Sequence, residues 1–286
     1  MKLHSVGLVI EDAERVLAAA GVWSPRTDAE LLAAYALGVR RSELVLESSV
    51  DAAVLERVNV LVTKRADRVP IQHLTGRASL TGMEVDLGAG VFVPRPHSEL
   101  LLDWSLKSLG ELGEPLVVDL CTGSGILALA VAHARPDATV HAVDVDPIAL
   151  ECARRNAAHR ADAGDTPIHL HSADVSDPEA LDALAATVDL VMANPPYVAE
   201  GTTLLPEWSR HHPRHAVYAG SDGLDVIRHV VCCAVRLLRP GGAIAIEHDP
   251  SQITSVPELL SSAFTAVENH PDHSGRARYT TARLSD

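Results

Sequence analysis

Leu116-Val117-Val118-Asp119-Leu120-Cys121-Thr122-Gly123-Ser124-Gly125, followed by the apolar stretch 126–134, decides how the rest of the chain is read. The apolar run 116–120 predicts a buried strand. The glycines predict a sharp turn that lets a ligand approach the backbone closely. That turn feeds a helix N-terminus, where free N–H groups point outward. The same alternation continues in both directions. Residues 139–144 predict the next strand, and Asp146-Pro147 the start of the next helix. Residues 168–170 make a third strand, ending at Asp174. A fourth covers 188–193, a helix 223–238 and a fifth strand 243–247. Two short strands near 264–268 and 278–283 complete the set. Strand–helix alternation of this kind gives an α/β fold, a parallel sheet covered by helices.

The fourth strand runs directly into Asn194-Pro195-Pro196-Tyr197. Neither proline has an N–H to donate, and each fixes its own φ. Each also keeps the residue before it out of the α region. A stiff, extended peptide with unpaired carbonyls is therefore expected just past the strand's C-terminal edge. An amide sits at one end and an aromatic ring at the other. Such a surface can grip a planar –NH₂ group. Asn194 Oδ1 and the Pro195 carbonyl accept its two hydrogens, while Tyr197 packs on its face.

In an open α/β sheet, ligands collect at the carboxyl ends of the strands. Asp119, Asp144, Asp174 and Asn194 are all expected there. Asp144 follows Gly125 by 19 residues and suits two ribose hydroxyls, as in a dinucleotide site. Ala128 even completes a G-x-G-x-x-A. Two features oppose a nicotinamide dehydrogenase. The Asp119 carboxylate would repel a pyrophosphate but welcome a cationic ligand, and hydride transfer has no use for an amide clamp. S-adenosylmethionine, with an ammonium, a sulfonium and no phosphate, meets both conditions.

Residues 1–70 read as a small helical bundle. Val6, Val9, Ile10, Ala13, Val16, Leu17 and Ala20 recur at helical spacing before Gly21. Ser24-Pro25 opens a second helix, with Leu31, Leu32, Tyr35 and Leu37 inward and Gly38 at its end. Ser42 caps a short third helix. Asp51 starts a fourth, with Val54, Leu55, Val58, Leu61 and Val62 inside and Glu56, Arg57, Lys64 and Arg65 outside. Pro70 breaks the pattern. From Ile71 to Val93 short strands are expected, with Thr81-Gly82 as a turn, forming a hairpin linker over 71–96. The third domain is then 97–286.

The totals narrow the function classes. The 286 residues are 47% apolar, 22% charged and only 3% aromatic, with a net charge of −14. That charge argues against stable nucleic-acid binding, which depends on phosphate neutralisation, and suits a basic protein partner. No stretch is long and apolar enough to span a bilayer, and Met1-Lys2-Leu3-His4-Ser5 leads into no long apolar h-region. A cytoplasmic protein is expected. Cys121, Cys152, Cys232 and Cys233 lack C-x-x-C spacing. Although there are 15 histidines, including His169-Leu-His171 and His211-His212, no ligand spacing accompanies them, and no metal site is expected.

Asp119-Leu-Cys-Thr-Gly-Ser-Gly125, Ala142-Val-Asp144 and Asn194-Pro-Pro-Tyr197 resemble class I S-adenosylmethionine-dependent methyltransferases that act on amino groups. The match goes further. Pro70-Ile-Gln-His-Leu-Thr-Gly76, Val91-Phe-Val-Pro-Arg-Pro96 with Glu99, Gly220-Ser-Asp-Gly-Leu224 and Gly275-Arg-Ala-Arg278 resemble the HemK family. These are the protein-(glutamine-N5) methyltransferases of peptide-chain release factors, enzymes of translation termination. The resemblance implies a Rossmann-like seven-stranded sheet whose last strand is antiparallel, behind a helical domain that docks substrate. It implies S-adenosylmethionine as cofactor and a Gly-Gly-Gln glutamine as substrate. Cys121, Thr122, Gly123, Ser124, Gly125 and Asp144 would hold the methionine and ribose parts. Asp174 and Val175 would flank the adenine, and Asn194 would touch both cofactor and substrate. An adenine-N6 methyltransferase on DNA or RNA is the alternative, since its exocyclic amine suits the same clamp. The chain departs from the family pattern at several positions. Cys121 replaces glycine, a change expected to tolerate a negative φ. Val175 stands where an aromatic is frequent, Glu247-His248-Asp249 where Glu-Ile-Gly is familiar, and His212-Pro213 where Glu-Pro is common.

Overall fold

The structure, a computed structural model, describes residues 3–286. They form two compact units. One is the chain up to Arg77 together with Leu204–His211, and the other is Ala78–Thr203 with His212–Asp286.

The first unit is helical. A two-residue strand, β1 (His4–Ser5), pairs antiparallel with β2 (Ser49–Val50). Around them lie α1 (Val6–Ala19), α2 (Pro25–Leu37) and α3 (Ala52–Ala66). Val6, Val9, Ile10, Ala13 and Leu17 of α1 are buried against Leu32, Ala33, Val58 and Val62, one stripe from each helix. Pro25 enters α2 at its first turn, Gly38 leaves it at φ 75°, and the Asp51 side chain caps α3 by accepting from Val54 N at 2.8 Å. Three expectations fail here. Ser42 is not a cap, since the short third helix, a 3-10 turn over Arg41–Leu46, starts after Arg40. Tyr35, read as inward, is about half exposed. Arg65, read as outward, is buried because it has partners. Its Nε donates to Asp28 at 2.7 Å and its Nη1 to Glu207 of α8 (Pro206–His211) at 3.0 Å. Arg68 grips the same Glu207 with two bonds, of 2.6 and 2.8 Å. A charged side chain enters an interior only when paired in this way.

The expected strands at 71–76 are also absent. Ile71–Thr75 forms a short helix, α4, between Pro70 and Gly76 at φ 71°. Pro70 fits just before a helix's first turn, and the left-handed glycine closes it. Pairing begins only at β3 (Arg77–Leu80), which joins β4 (Met83–Asp86) across Thr81-Gly82. Both turn residues have positive φ, the geometry that a two-residue hairpin loop requires.

The second unit holds the seven-stranded sheet. After α5 (Ser98–Leu109) come β5 (Leu116–Leu120), α6 (Ile126–Ala134), β6 (Thr139–Asp144), α7 (Pro147–Asp162), β7 (His169–Ser172) and β8 (Val188–Ala193). Then follow α9 (Asp225–Leu237), β9 (Leu238–Glu247), α10 (Ser255–Leu260), β10 (Phe264–Pro271) and β11 (Ala277–Leu284). The strand order is β10-β11-β9-β8-β5-β6-β7, with β11 antiparallel to both neighbours and β6, β7, β8 and β9 parallel to β5. Side chains alternate across the sheet. Val117, Val140, Leu190 and Met192 pack with α5 and α6 on one face. Val118, Leu120, Val143 and Val191 pack with α9 and α10 on the other. Residues 126–132 of α6 are all buried, which explains an apolar run without a polar side.

Candidate active site

Register aligns the strand ends. Leu120 pairs with Val143 on one side and Ala193 on the other, and Ala193 pairs with Ile246. One residue further along each strand stand Cys121, Asp144, Asn194 and Glu247. Four side chains widely separated in sequence therefore share one row at the carboxyl edge. The chain also reverses direction across the sheet here, between β5 and β8, which is where open α/β sheets bind ligands.

The turn after β5 is built from left-handed residues. Gly123 and Gly125 have φ of 58° and 83°. A Cβ on Gly125 would stand 3.2 Å from Ala153 Cβ, so this glycine lets α6 and α7 approach. Cys121 also has a positive φ, 62°. The negative φ expected for it is overturned, because the turn's shape is fixed by its neighbours whichever residue stands there. Asp144 ties the turn to β6. Its Oδ2 accepts Gly123 N at 2.8 Å and its Oδ1 accepts Asp146 N at 2.9 Å. Each oxygen keeps a lone pair free for a hydroxyl. Burial raises the Asp144 pKa above the usual carboxylate value.

Cys121, Thr122, Gly123, Ser124, Asp144, Asp174, Val175 and Asn194 line one cavity of about 420 Å³, together with Pro196 and Ser98. Four aspartates and two histidines line it, and no lysine or arginine does so among the described residues. A pyrophosphate would find no countercharge there. Asp119 and Gly125 stand behind the lining. Asp119 is fully buried, and its Oδ2 accepts the Thr122 hydroxyl at 2.5 Å. The buried Ser124 Oγ has no partner among the described residues. Burial raises the Asp119 pKa to about 7, against the lowering effect of the Thr122 bond. A nearby cation would stabilise its ionised form. The acidic lining fits a ligand with a positive charge and ribose hydroxyls. Asp174 is the exposed member of the set. Backbone and hydroxyl bonds from Ser176 hold its carboxyl below the usual range.

Asn194 and Pro196 border the same cavity, while Pro195 is buried and Tyr197 turns inward. The Tyr197 hydroxyl donates to Glu247 Oε1 at 3.2 Å rather than walling the cavity with a free edge. Burial raises its pKa, so the phenol keeps its proton. Glu247 also accepts Ser98 Oγ at 2.6 Å and faces His97 Nε2 at 3.1 Å. Ser98 in turn receives Asn194 Nδ2 at 3.3 Å. The loop is braced from behind. Gln252 Nε2 donates to the Tyr197 carbonyl at 3.0 Å, and a Cβ on Gly223 would lie 2.2 Å from that same oxygen. Motif reading assigned no role to Ser98, Glu247, Gln252 or Gly223. Two of them leave a signal in the sequence: Glu247 as a charged residue ending the apolar run Ala243-Ile-Ala-Ile246, and Gly223 as part of Gly220-Ser-Asp-Gly-Leu224.

The histidines on β6 and β7 take another path. His141 stacks between His169 and His171, with ring centroids 4.8 and 5.0 Å away, and its Nδ1 lies 2.8 Å from His171 Nε2. Among the described residues no group of side chains could hold a metal ion, and no helix is long and apolar enough to cross a membrane.

A mostly parallel seven-stranded sheet with one antiparallel strand, carrying a glycine turn and an Asn-Pro-Pro-Tyr corner on one edge, defines a class I methyltransferase. A methyltransferase from Pyrococcus furiosus shares the fold, with a TM-score of 0.52 at 18% identity over 71% of this chain and 89% of that one. Residues 9–76 match the PrmC N-terminal domain, and residues 96–208 the methyltransferase small domain. The chain is 46% identical over 275 residues to the release factor glutamine methyltransferase of Mycolicibacterium smegmatis, covering 96% of this chain and 95% of that protein. It is 44% identical over 280 residues to the same-named protein of Mycobacterium tuberculosis, covering 96% and 90%. The chain belongs to the release factor glutamine methyltransferase family.

Proposed function

We propose that the chain transfers a methyl group from S-adenosylmethionine to the side-chain amide nitrogen of the glutamine in the Gly-Gly-Gln motif of peptide-chain release factors. The observation that carries this reading is the placing of Asn194 in the row of Cys121 and Asp144, on one acidic cavity. Bound there, the cofactor supplies an electrophilic methyl on a sulfonium. Thr122, Gly123, Ser124 and Asp144 hold its methionine and ribose parts, and Asp174 and Val175 flank the adenine. Asp119, behind the turn, favours the positive charge.

A carboxamide nitrogen is a weak nucleophile because its lone pair is delocalised into the carbonyl. Asn194 Oδ1 and the Pro195 carbonyl accept its two hydrogens and turn the lone pair toward the methyl. The advantage comes from orientation in a site poor in water. No strong base is needed, because the amide becomes acidic as the N–C bond forms and the sulfonium C–S bond breaks; S-adenosylhomocysteine is the leaving group and the surplus amide proton passes to solvent. Tyr197 anchors the corner through Glu247. The helical unit, residues 1–70 in the sequence reading, docks the protein substrate, and the hairpin links it to the domain that follows. The reaction belongs to translation termination, in the cytoplasm.

The test is incubation with labelled S-adenosylmethionine and a release factor, followed by mass spectrometry of the Gly-Gly-Gln peptide. One added methyl on the glutamine is expected. An unmodified peptide alongside salt-dependent DNA binding and labelled adenine would replace this reading with the adenine-N6 one.

A further inference from the structure

An asparagine can present either end of its amide to a substrate, and only one end serves the proposed reaction. The glutamine nitrogen carries two hydrogens, so Asn194 must offer Oδ1. An Nδ2 turned to the same point would set donor against donor. Nothing in Asn194 itself chooses between the two orientations, which differ little in shape.

The choice is made two residues away. Ser98 Oγ lies 2.6 Å from Glu247 Oε2, and a hydroxyl has one hydrogen. The carboxylate takes that hydrogen, so toward Asn194 the hydroxyl can only accept. Asn194 Nδ2, at 3.3 Å, supplies the matching donor, which leaves Oδ1 for the cavity that Asn194 lines. Glu247 is itself held. Its Oε1 receives the Tyr197 hydroxyl and faces His97 Nε2, at 3.2 and 3.1 Å. Glu247 is 1% exposed and Ser98 2%, so water does not compete for these bonds.

We propose that Glu247, acting through the Ser98 hydroxyl, is a positioning residue that fixes which end of the Asn194 amide meets the substrate. This rests on the glutamine-methylation reading above. The direction of donation along Asn194–Ser98–Glu247 is the functional element, and it is set 53 residues beyond the motif in sequence.

Direction can be reversed without removing atoms. In Glu247→Gln the new amide keeps its oxygen on the side of Tyr197 and His97, where two donors wait, and turns its NH₂ to Ser98. The Ser98 hydroxyl must then donate to Asn194, which flips and offers Nδ2 to the cavity. Asn194→Asp in that background restores an acceptor at both ends of residue 194. Asn194→Asp alone places one hydroxyl hydrogen between two carboxylates.

The experiment measures methylation of a release factor by the full chain, with S-adenosylhomocysteine affinity as a control. Failure of the wild-type protein to label the glutamine overturns the functional reading itself. With wild-type activity present, E247Q is expected to lower kcat about 100-fold, the scale of one lost transition-state contact, with S-adenosylhomocysteine affinity within about twofold. The E247Q/N194D double variant is expected to recover at least about tenfold of that loss, although each single variant is impaired, a non-additivity diagnostic of coupled partners. E247Q at more than half of wild-type kcat, or a double variant no faster than E247Q, overturns the proposal. Should E247Q not fold, Ser98→Val carries the test. A kcat lowered about tenfold or more at unchanged product affinity supports the relay, and an unchanged kcat overturns it.

Discussion

The two sides of the cavity are built by different means. On the side of β5 and β6, position is held by main chain. Gly123 N and Asp146 N bind Asp144, and three left-handed residues shape the turn. Every partner lies within about one βαβ unit. On the side of β8, position is held by side chains from distant parts of the sequence: Ser98, Glu247 and Gln252. In the proposed reaction the first side has only to hold the cofactor, whereas the second must aim a hydrogen-bond acceptor at a reacting nitrogen, where direction matters as much as place. A backbone turn suffices for the first, and a chain of oriented donors is required for the second.

The strongest way to separate the sides is Asn194→Ala. Turnover is expected to fall by a factor on the order of 10³ or more, with cofactor affinity changed only a few-fold, because the lost acceptor acts on the reacting amide. Single-turnover methylation beside equilibrium binding of S-adenosylhomocysteine checks it, and equal loss in both would merge the two sides.

Next is the pH response of Asp119. Its folded pKa, raised to about 7, lies above that of the unfolded chain. The fold therefore holds a proton that the unfolded chain has lost, and stability falls as pH rises from the unfolded value through 7. The effect reaches up to about 4 kcal/mol across that window. Melting of the ligand-free protein should show wild-type stability dropping relative to Asp119→Asn between pH 5 and 8, where the variant has no such titration. Parallel curves would contradict this.

Asp144→Ala should weaken cofactor binding about 10- to 100-fold, or about 1.4 to 2.7 kcal/mol, while kcat at saturating cofactor stays near wild type. Titration calorimetry and saturation kinetics together measure it. A kcat effect larger than the affinity effect would move Asp144 to the reacting side.

The smallest effect falls on Cys121. A non-glycine residue at positive φ costs roughly 1 to 2 kcal/mol, whereas glycine costs about 0.5 to 1 kcal/mol in unfolded-chain entropy. Cys121→Gly should then shift the unfolding free energy by no more than about 1.5 kcal/mol, toward stability. Cys121→Val should destabilise, since branching at Cβ worsens the left-handed conformation. Chemical denaturation of both variants decides it.

Much of the cavity's first side was legible in advance, because its signals are local. Gly123, Gly125 and Asp144 sit where a strand, a turn and a second strand must place them. The Asn194 corner was also legible as a stiff peptide, since proline acts on its own dihedrals and those of its neighbour. Where the reading failed, the missing cause was a contact. Arg65 looked like a solvent-facing residue until Asp28 and Glu207 gave it partners. Residues 71–75 lack the length for a periodicity to show, and turn between Pro70 and Gly76 instead of extending. Cys121 was expected at negative φ because the turn's demand on that position comes from the strand and helix it joins.

By itself, then, the sequence determined the order of strands and helices, the glycine turn and the proline-stiffened asparagine. These follow from hydrophobic periodicity and from backbone dihedrals, which are properties of a residue and its neighbours. Only the tertiary structure decided that Cys121, Asp144, Asn194 and Glu247 share one row, and that Ser98 lies between two of the groups it joins. Register and side-chain donation depend on pairings across about 20 to 150 residues of chain. No local pattern encodes them, because the energy of a strand pair or a buried hydrogen bond exists only when both partners are present.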